Sequence, residues 1–113
     1  MAGDCVFCSI RDGKIPSEKI YSNNYCFVIR DIAPRAPTHV LVIPNEHFTS
    51  LAKLDKQHSD LLYALFESAE KVATLEGLKG GHRLVFNQGE DAGQQVDHLH
   101  LHLLGGRRLN DMA

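Results

Sequence analysis

The chain has 113 residues, 43% hydrophobic and 23% charged, with a formal net charge of −2 when histidine is neutral. That length suits one domain, residues 1–113, with a modest core. The charge argues against a nucleic-acid partner, no apolar run approaches the ~20 residues of a bilayer span, and the opening MAGDCVFCSIRDGK lacks the basic-then-apolar order of a secretion signal. A cytoplasmic location is therefore expected, with Cys5, Cys8 and Cys26 reduced rather than bridged.

In chain order, residues 5–12 suit a short helix or turn. Residues 18–22 and 25–30 read as strands around Asn23-Asn24, a pair that tolerates the positive φ of a tight hairpin. Pro34 and Pro37 make residues 33–37 a rigid loop. Residues 39–43, HVLVI, form a β-rich run stopped by Pro44. From Asp55 to about Leu78 the period turns helical: Leu61, Leu65, Ala69 and Val72 recur at spacings of three and four. Asp55 suits the N-cap, and Gly77, Gly80 and Gly81 are stop signals. Residues 83–87 are a further strand, 89–95 a Gly-rich polar loop, and 97–104 an alternating strand ended by Gly105-Gly106. Strands, one long helix, then strands predict an α+β domain with a mainly antiparallel sheet under the helix.

The chemistry concentrates in His98-Leu99-His100-Leu101-His102-Leu103-Leu104. On a strand the three imidazoles share one face, roughly 7 Å apart, and the leucines pack on the other. Three readings are open: a polar sheet face, a metal held by all three histidines, or acid, base and nucleophile work by imidazoles. Along a flat strand, histidines diverge more than they converge, which disfavours the metal. The neighbouring loop favours the third reading. Gly89 and Gly93 allow close backbone approach to a ligand, and Asn87, Gln94 and Gln95 offer amide donors to phosphate oxygens. Cys5-Val6-Phe7-Cys8 is a C-x-x-C pair, open by itself to a redox role or to free thiols packed at the terminus; with His47 and His98 it makes a Cys₂His₂ set suited to structural zinc. Cys26 reads as a small core residue. His58 and His82 read as surface residues, and Arg107-Arg108 as a solvated basic end.

Residues 93–107 resemble the signature of the histidine triad family, His-φ-His-φ-His-φ-φ with φ apolar, and more narrowly its nucleotide-binding (Hint) branch. Residues 31–44 are similar to that branch's nucleoside-binding stretch. The resemblance implies a five-stranded antiparallel sheet with one long and one short helix. It also implies a homodimer whose sheets join into ten strands. It implies hydrolysis of nucleoside 5′-phosphoramidates or related nucleotidyl donors, purine favoured, with AMP or GMP as product. His100 is then the nucleophile that carries the nucleotidyl group. His102 and His39 bind or polarise phosphate oxygens, with His98 beside them. Asp31 meets the ribose, Ile32 and Leu41 wall the base, and Asn87, Gly93, Gln94, Gln95 and Val96 shape the phosphate pocket. Zinc-bearing relatives share the layout in which the histidine two before the nucleophile is a ligand. Position 95 is commonly Ser in the Hint branch, so Gln95 leaves the leaving group open. The alternatives are a non-catalytic, zinc-stabilised nucleotide-binding module and a dinucleoside polyphosphate hydrolase of the same family.

Overall fold

The computed structural model describes residues 5–112, which form one five-stranded antiparallel sheet, two α-helices and short 3₁₀ turns. Its centre is β3, Thr38–Pro44, buried along its whole length. A strand covered on both faces reads as a continuous apolar run, which is what the β-branched stretch Val40–Ile43 supplies. On one side β3 pairs with β2, Cys26–Arg30, which pairs in turn with the two-residue edge strand β1, Tyr21–Ser22. On the other side it pairs with β5, Leu101–Gly105, and β5 with β4, His82–Val85. The order is β1-β2-β3-β5-β4.

The two faces carry separate cores. Beneath α2, Ser59–Leu75, lie Val28, Val40, Val42, Leu101 and Leu103, packed against Leu61, Leu65, Ala69 and Val72. The helical stripe read from the sequence is the buried one. Against the opposite face lies α1, Val6–Arg11, whose Phe7, Cys8 and Ile10 cover Phe27, Ile29, Leu41 and Ile43. Cys26 is fully buried, 3.2 Å from the Ser68 hydroxyl, and the Asn23 amide donates to that hydroxyl at 3.0 Å.

Several boundaries differ from expectation, each for a physical reason. Asp55 caps a 3₁₀ turn, Lys56–His58, ahead of the α-helix; its carboxylate accepts from Gln57, while His58 Nδ1 accepts the Asp55 N–H at 3.1 Å. The helix stops at Glu76, where Gly77 takes φ +71° and the Leu78 N–H returns to the Ala73 carbonyl at 3.0 Å. Among the described residues only glycines have positive φ, so the Asn23-Asn24 turn is not the left-handed type expected. Instead the Asn23 side-chain oxygen accepts the N–H groups of Tyr25 and Cys26. His82 is half-buried rather than superficial, with Nε2 2.6 Å from Glu70. Among the described residues no helix is long and apolar enough to cross a membrane.

Candidate active site and metal centre

The largest departure lies in the histidine segment. The ladder begins at Leu101, not at Asp97. The Leu99 N–H donates to the Phe48 carbonyl at 2.6 Å, away from the neighbouring strands, and His98 turns towards α1. The three imidazoles still lie on the α1 face. His102 sits on β5 opposite Leu41, and Phe7 of α1 meets the rings of both His98 and His100 edge-on, at 5.7 and 5.1 Å. The histidines divide into different environments, so a single metal held by all three is ruled out. Among the described residues the metal-type clusters are Cys5, Cys8, His47, His98 and, separately, Asp31, His39, His102.

His98 is fully buried. Its Nε2–H donates to the Pro44 carbonyl at 2.9 Å, so a neutral ring presents its Nδ1 lone pair to Cys5 Sγ at 3.2 Å and Cys8 Sγ at 3.6 Å. His47 Nδ1 lies 3.4 Å from Cys8 Sγ. Zinc–sulfur and zinc–nitrogen bond lengths imply a tetrahedral S···N edge of about 3.5 Å. The donor set, its spacing and the tautomer of His98 therefore fit zinc. Burial pushes His98 down to about 4, which keeps the ring neutral, as a ligand must be. Burial, then the hydrogen bond and charge of Cys5, raise the Cys8 thiol.

His100 is 7% exposed, and its Nδ1–H donates to the His98 carbonyl at 2.7 Å. A neutral imidazole has one ring proton, so Nε2 is left as an unprotonated lone pair. His102 lies beside it, ring centroids 5.0 Å apart. Its orientation comes from a chain of hydrogen bonds. The Arg35 N–H donates to His39 Nδ1 at 3.1 Å, so His39 carries its proton on Nε2 and donates to His102 Nδ1 at 2.9 Å. His102 then bears its proton on Nε2, free for a ligand oxygen. The same logic decides against a metal at Asp31, His39 and His102: ligation through His39 Nε2 would place a proton on Nδ1, facing the Arg35 N–H. Burial, followed by the neighbouring His100 and His39, pushes His102 down to about 4, and burial lowers His39 as well.

The remaining predicted residues surround this centre unevenly. Asp31 accepts from the Ala33 N–H at 2.9 Å, and its second oxygen is 3.4 Å from His39 Nε2. Ile32 is wholly solvent-exposed and Leu41 is buried across the ladder from His102. Val96 packs against the α1 core. Gly93 has φ +81°, Gln95 is exposed and Asn87 is half-buried beyond β4. The Gln94 amide is engaged internally: it accepts from the Gly89 N–H and donates to the Thr49 and Val96 carbonyls. Sequence reading missed Arg35 and Phe48, which act through main-chain groups that no side-chain pattern announces. It also missed Phe7, although that residue lies inside the C-x-x-C motif.

Fold and site together define the class of proteins built on histidines carried by one strand of an antiparallel sheet and the segment leading into it. A family model described as "Scavenger mRNA decapping enzyme C-term binding" matches residues 4–110. An uncharacterized HIT-like protein of Synechococcus elongatus is 42% identical over 109 residues, 96% of each chain. A 14 kDa zinc-binding protein of Zea mays is 43% identical over 107 residues, 93% of this chain and 84% of that one. The crystal structure of a HIT family hydrolase from Legionella pneumophila superposes with a TM-score of 0.91 at 42% identity, covering 95% of this chain and 96% of that one. The chain belongs to the histidine triad (HIT) family.

Proposed function

We propose that the protein is a nucleotidyl hydrolase or transferase of the Hint type. Its substrates are nucleoside 5′-phosphoramidates or related donors, purine favoured, and AMP or GMP is released. The observation that supports this most is the His100 Nδ1–H held by the His98 carbonyl, which leaves a lone pair on Nε2 beside the donor of His102. In the first step His100 Nε2 attacks the α-phosphorus; the N–P bond forms and the bond to the leaving group breaks. The leaving group takes up a proton from solvent as it departs. Water then attacks the same phosphorus and gives a proton to solvent, the N–P bond breaks with its electron pair returning to His100 Nε2, and the mononucleotide leaves. Splitting one displacement into two easier steps is the advantage of covalent catalysis. The His102 Nε2–H is placed to stabilise charge on the phosphoryl oxygens. Exposed Ile32 offers an apolar surface for a base, with Asp31 next to it for the ribose.

In the same reading Cys5, Cys8, His47 and His98 hold a structural zinc that ties α1 to the segment carrying the nucleophile. The relative from Zea mays is named for zinc binding, which agrees. The chain also pairs as a homodimer through the β4 edge, joining two sheets into ten strands. Alkaline quench during turnover of an AMP phosphoramidate, which spares the N–P bond, should leave one AMP on His100, read by peptide mass. His100→Ala should lose the adduct and about a thousandfold of the activity. An adduct elsewhere, or full turnover by the variant, would refute the assignment.

A further inference from the structure

Arg107 and Arg108 on the turn that follows β5 are exposed, as expected of a solvated basic end, but the first of them also makes ordered contacts. Arg107 folds back: its Nη2–H donates to the Arg35 carbonyl at 3.0 Å and its Nη1–H to the Arg108 carbonyl at 2.8 Å. Gly106 supports the same contact independently. It has φ +99°, and a Cβ there would sit 2.9 Å from Pro37 Cβ, so only glycine lets the turn lie this close to the 31–37 loop. Both main-chain groups of Arg35 are thereby engaged, its carbonyl by Arg107 and its N–H by His39 Nδ1.

We propose that Arg107 is a positioning residue which, through Arg35, sets the tautomers of His39 and His102. The proposal rests on the reading of His102 as a phosphate donor. While the Arg35 N–H points at His39 Nδ1, the His39 proton must be on Nε2, His102 Nδ1 must accept it, and His102 Nε2 must donate outward. Release of Arg35 frees His39 to carry its proton on Nδ1. His39 Nε2 then accepts, His102 donates from Nδ1, and His102 Nε2 becomes a lone pair directed at phosphate oxygens. One lost contact at the turn thus inverts a donor into an acceptor at the reacting group. Arginine suits the task because its fork reaches two carbonyls at once.

The test is the tautomer of His39, read from the ¹⁵N shifts of its ring nitrogens in the full-length protein. Wild type should show a single Nε2–H form. Arg107→Met should show a mixture, with kcat down about tenfold and KM within about twofold, the loss of roughly one oriented hydrogen bond. Arg107→Lys should recover part of both. Gly106→Ala, which keeps the guanidinium but forces the turn off Pro37, should give the same mixture. If His39 keeps the single wild-type form in Arg107→Met, the proposal is overturned whatever happens to turnover. If the mixture appears but wild type forms no nucleotidyl adduct, the positioning role stands and the functional reading fails instead.

Discussion

At the scale of single residues, the site is a set of tautomers assigned by main-chain groups. The carbonyls of His98 and Pro44 and the N–H of Arg35 each decide which nitrogen of a nearby ring carries the proton. None of these partners is a side chain, so sequence can nominate the rings without revealing which nitrogen acts. The same burial that orients the rings makes them sensitive to acid. His102 sits at about 4 in the fold, against 6.5 for a free imidazole. Between those values the unfolded chain binds a proton that the folded chain refuses. Stability is therefore full above pH 6.5 and falls as the pH drops towards 4. The loss should be on the order of 2 kcal/mol, read as a lower urea midpoint at pH 4.5 than at pH 7. His102→Asn should lessen that dependence, leaving the share owed to buried His98 and His39; a variant as steep as wild type would show that His102 is not a source of it.

Among the elements, α1 is short, yet it covers the face that carries the histidines. Six residues form a marginal helix alone. Its docking depends on Phe7, Cys8 and Ile10, and on Arg11, whose guanidinium reaches the Asn45 carbonyl at 2.6 Å. The thiol–imidazole cluster joins that helix to the loop holding His47 and to His98. Purified protein should carry about one zinc per chain by elemental analysis, in line with a closed four-ligand site. Cys8→Ser should lose the metal and about 10 °C of Tm. A variant that keeps both would remove zinc from the account. The α2 stripe and the β3 run were readable because period and burial agree there. The start of β5 was not. Alternation over residues 97–104 predicts a strand, but the Leu99 N–H is claimed by Phe48, fifty-one positions earlier in the chain, and that outweighs the local pattern. The Asn23 turn misled for a similar reason: the residue type was right, but its side chain rather than a positive φ closes the loop.

For the whole molecule, the proposed dimer explains why α2 and the β4 edge carry apolar surface. Phe66, on α2, is 42% exposed and stacks edge-on against Phe86, with ring centroids 6.1 Å apart. Together with Leu51, Leu54 and Leu62 they line a cavity of about 500 Å³. The edge at the opposite side of the sheet, β1, is only two residues long and a poor template for pairing. On this proposal wild type should sediment as a dimer and Phe66→Asp as a monomer with its circular dichroism unchanged. A monomeric wild type would remove the ten-stranded sheet from the proposal.

The place of β5 in the sheet has a consequence for how the molecule can fail. β3 and β4 have no pairing with each other; β5 lies between them, and the segment leading into it carries His100. The keystone of the architecture and the proposed nucleophile are thus adjacent in one stretch of chain. With His100 as the proposed nucleophile, a molecule that has not inserted this stretch would be both open and chemically silent, and the active fraction of a preparation would count its folded molecules.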